Sequence, residues 1–165
     1  RFALPRQTHT QNHIDYVIEV AKDVYKNKDE IKGMKILLID DDEWIRDSLR
    51  IFFEAEGCHV LALETAEEGL SAINNQAFDL FIVDYKLPGL DGLEFLKQIH
   101  NTQPDAIKIL ITAYLNKNLV AEARKLNVQG FIEKPFTSDT IMASLAYTIR
   151  KRDWNTRREL HESGG

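Results

Sequence analysis

The chain has 165 residues and a formal net charge of −5, with 44% hydrophobic and 28% charged residues. Such a chain is long enough for one domain with an appendage, and the negative charge argues against a general nucleic-acid binder. No apolar run approaches the length of a membrane-spanning helix, there is no secretory signal pattern, and a single cysteine excludes an intrachain disulfide. We therefore expect a cytoplasmic protein with no membrane partner and no direct nucleic-acid binding.

From Lys35 onward, apolar runs alternate with segments of helical periodicity. The apolar runs predict strands over residues 36–39, 60–63, 78–83, 107–111 and 128–132. Helices are predicted over residues 43–56, from the capping box Thr65-Ala-Glu-Glu68, after Asp91, around Leu119 and Ala123, and from Ser138. This alternation predicts an α/β fold with a parallel five-stranded sheet between two layers of helices.

Residues with chemically useful side chains follow four of the predicted strands. In chain order, they are Asp40, Asp41, Asp42, Asp84, Thr112 and Lys134. Parallel strands end at one edge of the sheet, and ligands bind beyond their carboxyl ends. We therefore expect these side chains to meet at one place.

The chemistry of this set points to a metal ion and a phosphoryl group. Closely packed carboxylates repel one another, and Mg²⁺, which prefers oxygen ligands and keeps waters that a phosphate replaces, relieves that repulsion. A lysine ammonium and a threonine hydroxyl suit phosphate oxygens. The set predicts Mg²⁺-dependent phosphoryl transfer to an aspartate carboxylate.

Each residue also has an ordinary structural interpretation. Asp42 is expected to be the N-cap of the first helix, which leaves Asp40 and Asp41 as the metal carboxylates. Taken singly, Thr112 would be a strand-end threonine and Lys134 a surface lysine. Their joint occurrence at the strand ends favours the functional interpretation.

Residues 34–150 resemble the receiver domain of two-component response regulators. The motifs that carry the resemblance are Ile36-Leu-Leu-Ile-Asp-Asp-Asp42, Asp79-Leu-Phe-Ile-Val-Asp84, Leu87-Pro-Gly-Leu-Asp-Gly-Leu-Glu-Phe-Leu96, Ile111-Thr-Ala113 and Gly130-Phe-Ile-Glu-Lys-Pro-Phe136. The resemblance implies a flavodoxin-like (βα)5 three-layer sandwich with strand order 2-1-3-4-5. It also implies a phosphoprotein that takes its phosphoryl group from a sensor histidine kinase, a phosphotransfer protein or a small phosphodonor. The phosphorylated domain would then control an effector protein or domain.

The resemblance assigns the metal and the acceptor to particular residues. Asp84 would be the phosphoacceptor. Asp40, Asp41, Asp84 and the backbone carbonyl of Lys86 would bind Mg²⁺. The protein would thus assist its own phosphorylation and dephosphorylation without being an enzyme that acts on other substrates.

The resemblance also implies a switch. Thr112 and Lys134 would contact the phosphoryl group, and the aromatic switch position is occupied by Phe131, where many relatives have tyrosine. Phosphorylation would change the surface around the fourth helix and the fifth strand, and this fourth-helix face is the expected place for a homodimer. The peptide bond between Lys134 and Pro135 would be cis.

Two further side chains are predicted to set the lifetime of the phosphoryl group. Lys86 lies two residues after Asp84, and Tyr114 lies two residues after Thr112. Both side chains would cover the acyl phosphate and hinder the attack of water, which predicts a longer lifetime than in relatives with small polar residues there.

Two other functions fit part of the same set of residues. A haloacid-dehalogenase-like phosphatase also uses an aspartate nucleophile and Mg²⁺, and Asp40-Asp-Asp42 contains its Asp-x-Asp pattern. That family expects threonine or valine where this chain has Trp44, and it needs a cap insertion for which the chain is short. A phosphorylation-independent interaction platform would lack an acid or the lysine, both of which this chain keeps.

The two flanks fall outside the receiver motifs. Residues 1–33 contain an amphipathic helical pattern and resemble a C-terminal fragment of the tryptophanase and tyrosine phenol-lyase family, in which Arg1 would match the arginine for the substrate carboxylate. The segment lacks the Schiff-base lysine and the cofactor-phosphate site, so it is interpreted as a fused remnant, a junction or a leader helix. Residues 151–165 are predicted to form a basic helical extension and tail.

Overall fold

The computed structural model describes residues 31–164, with the side chains of residues 152–163 excepted. The strands are β1 (Lys35–Ile39), β2 (His59–Leu63), β3 (Leu80–Asp84), β4 (Ile107–Thr112) and β5 (Gly130–Glu133). The helices in the same part of the chain are α1 (Glu43–Ala55), α2 (Ala66–Ile73), α3 (Gly92–Ile99), α4 (Lys117–Lys125) and α5 (Ser138–Ser163).

The five strands of the described residues form one parallel sheet in the order β2-β1-β3-β4-β5. This confirms the predicted flavodoxin-like topology. One face of the sheet packs on α1 and α5 around Phe53, and the other packs on α2, α3 and α4 around Phe95. β1, β3 and β4 are therefore covered on both faces, as their continuous apolar runs predicted. Their carboxyl ends lie side by side.

β3 and β5 each begin two residues later than predicted. Phe78 is buried, but its N–H donates to the Gln103 side chain at 2.8 Å instead of joining the ladder. Val128 is also buried, and its N–H donates to the Ala123 carbonyl at 3.1 Å, which closes the end of α4. The predicted strands extend over both residues because an apolar run indicates which residues are buried but not which hydrogen bonds their backbones make.

The predicted helix starts are confirmed. The Asp42 carboxylate caps α1 by accepting from the N–H groups of Trp44 and Ile45, and Asp91 caps α3. The capping box at the start of α2 is formed by both of its hydrogen bonds. α5 begins at Ser138 and continues as one helix of 26 residues.

The core begins before Met34. Ile31 is 3% exposed and belongs to the α1–α5 side of the core, and Cys58 donates from its sulfur to the Ile31 carbonyl at 3.2 Å. Cys58 is buried, as predicted. The amphipathic pattern and the enzyme-like segment predicted at the N-terminus lie outside the described residues, apart from residues 31–33. Within residues 31–164, no helix combines the length and the apolar character needed to cross a bilayer.

Candidate functional site

Three carboxylates meet at the carboxyl edge of the sheet. Asp40 follows β1 and Asp84 ends β3, and both are buried because the neighbouring strands and helices cover them. Asp41 lies one residue further along and is exposed. One carboxylate oxygen of each lies within 4.8 Å of the others. The strand ends thus bring together the three acids that the sequence placed there.

Lys134, which follows β5, reaches two of these acids. Its Nζ donates to Asp84 Oδ2 at 2.9 Å and lies 3.3 Å from Asp40 Oδ2. Its backbone N–H donates to the Thr112 carbonyl at 2.8 Å, and the peptide bond to Pro135 is cis, as predicted. The lysine is therefore part of the carboxylate cluster and not an ordinary surface lysine.

Burial and mutual repulsion make the charged forms of the carboxylates at this site unfavourable. Burial raises the pKa of Asp84 to about 6, against the hydrogen bond from Lys134, and the charge of Asp40 adds to the increase. Burial also raises the pKa of Asp40. For Lys134, burial disfavours the charged form, but the hydrogen bond to Asp84 and the negative charge of Asp40 outweigh it and raise the pKa. One ammonium does not fully compensate the carboxylates, so the cluster favours additional positive charge.

The Thr112 hydroxyl is directed toward the backbone of Tyr114. Its Oγ1 donates to the Tyr114 carbonyl at 3.3 Å and accepts from the Tyr114 N–H at 3.2 Å. Phe131 on β5 is half-buried and packs against the α2–α4 side of the core. Lys86 and Tyr114 are both exposed, and 76% of Tyr114 is accessible. Thr112 is thus at the site but bonded within its own loop.

The loop between β3 and α3, which carries Lys86, is held by contacts that the sequence did not predict. The Gly92 N–H donates to the Tyr85 carbonyl at 2.9 Å, and a Cβ on Gly92 would overlap the Asp84 carbonyl oxygen. From α2, the Glu67 carboxylate accepts from the Leu90 N–H at 3.0 Å. Gly92 belongs to the motif Leu87–Leu96, but the sequence did not indicate its close approach to the Asp84 carbonyl. Nothing in the sequence near Glu67 indicated its hydrogen bond to Leu90.

Arg46 was also missed. It lies on α1, and its Nη1 donates to the Asp40 carbonyl at 2.8 Å. In the sequence it is one basic residue on an amphipathic helix, and such residues usually face solvent.

The donor set fits a hard divalent cation. Asp40, Asp41 and Asp84 supply carboxylate oxygens, the ligands that Mg²⁺ prefers. Among the described residues, Asp40 Oδ2 is buried and has no hydrogen-bond partner of good geometry, although the Lys134 ammonium is nearby. A buried carboxylate oxygen without a hydrogen bond is unfavourable, and a cation would satisfy it.

Comparison with known proteins identifies the family. The sequence model of the response regulator receiver domain matches residues 36–146. The transcriptional regulatory protein FixJ of Bradyrhizobium diazoefficiens is 34% identical over 118 residues, which cover 72% of this chain and 58% of that protein. The sporulation initiation phosphotransferase F of Bacillus subtilis is 32% identical over 107 residues, which cover 65% of this chain and 86% of that protein.

Solved structures agree with the sequence comparison. A CheY-like response regulator receiver domain protein from Methanospirillum hungatei superposes with a TM-score of 0.65 at 31% identity, covering 78% of this chain and 99% of that one. The chain spans 58% of FixJ and 26% of a C4-dicarboxylate transport regulatory protein, DctD, of Pseudomonas aeruginosa. The motifs, the topology and these matches agree: the chain belongs to the response regulator receiver domain family of two-component signalling.

Proposed function

We propose that this receiver accepts a phosphoryl group on Asp84 in a Mg²⁺-dependent reaction. The observation that carries the proposal is the position of the Asp84 carboxylate. It lies 2.9 Å from the Lys134 ammonium and within 4.8 Å of the Asp40 and Asp41 carboxylate oxygens. An acid on β3 that is paired with a lysine and lies close to two further acids matches the needs of phosphoryl transfer, which depends on positioning and charge neutralisation.

The transfer needs an oxygen nucleophile and a leaving group. An Asp84 oxygen attacks the phosphorus of a phosphohistidine or of a small acyl phosphate, and the bond from phosphorus to the leaving group breaks. The leaving imidazole of phosphohistidine takes up a proton, whereas an acyl phosphate releases a carboxylate anion. Lys134 neutralises the negative charge near Asp84, and Thr112 supplies a hydroxyl donor to a phosphoryl oxygen. Hydrolysis reverses the state when water attacks phosphorus, releases phosphate and restores the carboxylate.

Asp40, Asp41, Asp84 and the Lys86 carbonyl would hold Mg²⁺. The cation, when bound, neutralises charge on the phosphoryl oxygens. The two acids from the end of β1 need no movement of the sheet to take this role, because their carboxylates already lie beside that of Asp84.

The switch would begin at Thr112. Its hydroxyl donates a hydrogen bond to the Tyr114 carbonyl, and a phosphoryl oxygen on Asp84 would compete for this donor. The same loop is tied to β5 by the Leu115 N–H, which donates to Glu133 at 3.2 Å. A change in the direction of the Thr112 hydroxyl would therefore strain the loop before α4 and bias the packing of Phe131. The result would be a shift in the populations of two conformations of the surface around α4 and β5.

The partners follow from this scheme. A sensor histidine kinase or phosphotransfer protein would supply the phosphoryl group, and an effector protein or domain would recognise the α4 and β5 surface. A homodimer would use the same α4 face. The protein promotes its own phosphorylation and dephosphorylation and would act in the cytoplasm without contacting nucleic acid directly.

Phosphorylation with acetyl phosphate tests the proposal without a partner. The full chain is incubated with acetyl phosphate and Mg²⁺, and intact mass is measured. We expect one phosphoryl adduct that is absent when a chelator is added first and strongly reduced in Lys134→Ala. A folded protein that gains no adduct with Mg²⁺, or gains it equally with chelator, contradicts the proposal.

A further inference from the structure

Arg46 links α1 to the end of β1. Its side chain reaches back from the helix, and Nη1 donates to the Asp40 carbonyl at 2.8 Å in a partly buried position. We propose that Arg46 is a positioning residue for the metal site, which holds the turn over residues 40–42 and thereby raises the affinity for Mg²⁺. This inference rests on the proposed function, because it concerns the same acids.

The turn is fastened through Asp40. Its Oδ1 accepts from the Asp42 N–H at 2.9 Å, its own N–H donates to the Leu63 carbonyl at 3.2 Å, and its carbonyl accepts from Arg46. These bonds leave Oδ2 directed at the centre of the cluster. The hydrogen bond from Arg46 is charge-assisted and is therefore among the stronger hydrogen bonds that hold the turn.

Asp41 depends on this turn more than the other acids do. Asp40 and Asp84 are enclosed by the sheet, but Asp41 is exposed. Its carboxylate is brought within 4.8 Å of the other two by the backbone that carries it. Loosening the Asp40 carbonyl would therefore let Asp41 turn away from the cluster and would weaken a site that needs all three.

The charge of Arg46 also influences the start of α2. The pKa of Glu68 is lowered by hydrogen bonds from Thr65 and also by the positive charge of Arg46. Glu68 closes the capping box that starts α2. Glu68 thus balances part of the positive charge of Arg46.

The direction of the change in Mg²⁺ affinity distinguishes a positioning role of Arg46 from an effect of its charge. Removing a positive charge near a cation site strengthens cation binding by simple electrostatics. Removing a residue that positions the ligands weakens it. Arg46→Met removes both the charge and the hydrogen bond, so weaker binding would be the mark of positioning.

Arg50 provides a matched control. It lies one helical turn further along α1, is 41% exposed in its side chain and pairs with Asp47 at 3.3 Å, away from the turn. Arg50→Met removes the same charge from the same helix but leaves the Asp40 carbonyl bond in place. Arg46→Lys keeps the charge and one donor group, which tests whether the hydrogen bond can be partly restored.

The experiment measures the Kd of Mg²⁺ by calorimetry for the full chain and these three variants. We expect Arg46→Met to weaken binding by roughly tenfold, as loss of a residue that orients ligands usually does. The Kd of Arg46→Lys should lie between those of the parent and Arg46→Met. Arg50→Met should bind Mg²⁺ as the parent does or slightly more tightly. In metal-free protein, the Asp42 amide should exchange its hydrogen faster in Arg46→Met, and circular dichroism checks that each variant is folded.

The outcomes distinguish this inference from the proposed function. A parent chain that does not bind Mg²⁺ contradicts the proposed function. A parent that binds, with Arg46→Met equal or tighter, overturns the role of Arg46 alone. Equal weakening in Arg46→Met and Arg50→Met also overturns it. If Arg46→Met does not fold, Arg46→Lys decides: unchanged affinity and unchanged Asp42 exchange overturn the inference.

Discussion

The Lys134 ammonium lies between two buried carboxylates, 2.9 Å from Asp84 Oδ2 and 3.3 Å from Asp40 Oδ2. One positive charge is therefore shared by two acids, with the exposed Asp41 close by. Burial raises the pKa of both shared acids. The site is less favourable as an empty, fully ionised cluster than with a proton or a cation added.

This arrangement predicts an unusual pH dependence of stability. The pKa of Asp84 is about 6 in the folded chain, compared with 3.8 for an unperturbed aspartate, so between these pH values the folded state binds more protons than the unfolded state. The contribution of Asp84 therefore increases stability as pH falls and decreases it as pH rises. We expect Asp84→Asn to raise the free energy of unfolding at pH 7 by on the order of 1–3 kcal/mol.

Denaturant unfolding at several pH values without Mg²⁺ tests this prediction. The difference between Asp84→Asn and the parent should shrink as pH falls from 7 to below about 4, because the parent carboxyl becomes neutral. Asp105→Asn, an exposed acid in the loop before β4, is the control and should show no such trend. A destabilised Asp84→Asn at pH 7 would contradict the electrostatic account.

Mg²⁺ is expected to stabilise the fold. At a free concentration ten times its Kd, a ligand that binds only the folded state adds about 1.4 kcal/mol. Asp41→Asn should lose most of this gain because it removes one of the three carboxylates. Thermal unfolding with and without Mg²⁺ measures it, and Asp105→Asn should keep the gain of the parent. Equal gains in both variants would place the binding of Mg²⁺ elsewhere.

Gly92 is predicted to tolerate no side chain. A Cβ there would overlap the Asp84 carbonyl oxygen, which is backbone and cannot swing away. We expect Gly92→Ala to destabilise the fold by roughly 1–3 kcal/mol and to slow phosphorylation, because the end of β3 must shift. Gly33 has a φ of 84° with open space around it, so Gly33→Ala is a control for backbone strain alone.

Unfolding by denaturant and the rate of adduct formation measure the two effects. Gly33→Ala should lose stability without a change in the phosphorylation rate. A Gly92→Ala variant that behaves like Gly33→Ala in both measurements would mean that the loop after β3 relaxes without moving Asp84.

The positions of the site acids could be predicted because the apolar strands that precede them are evident in the sequence. The buried runs before Asp40 and Asp84 end abruptly in acids, and parallel topology then requires these ends to meet. The same logic placed Thr112 and Lys134. What it could not give is the partner of each polar atom, because a hydrogen bond depends on side-chain direction and not on the pattern of apolar residues.

Three features of the structure show what the pattern of apolar residues does not predict. Nothing in the sequence indicates that Arg46 turns back to the Asp40 carbonyl, or that Thr112 is bonded to the backbone of Tyr114. The burial of Ile31 was missed as well, because one isoleucine in a charged stretch carries no periodicity. The two hydrogen bonds join residues that are close in the chain but depend on the direction of a side chain in the folded backbone. The burial of Ile31 arises only when its segment packs against distant residues such as Cys58.

The phosphoryl lifetime is predicted to depend on Lys86 and Tyr114. Both side chains are exposed on loops beside Asp84, where they would hinder an attacking water. We expect the double variant Lys86→Asn and Tyr114→Glu to lose its phosphoryl group roughly three- to tenfold faster, a change of about 1 kcal/mol in the barrier. Decay of the adduct after removal of the donor measures this rate, and an unchanged rate would reject the idea.

The identity of the acceptor is the most direct test of the account. The parent chain, Asp84→Asn and Asp79→Asn are phosphorylated with acetyl phosphate and Mg²⁺, and intact mass is measured, with circular dichroism to check folding. Asp79 lies at the opposite end of the same run and bonds the Lys35 N–H at 2.8 Å, so it controls for loss of an acid near β3. The account predicts an adduct on the parent and on Asp79→Asn and none on folded Asp84→Asn, whereas an undiminished adduct on Asp84→Asn would contradict it.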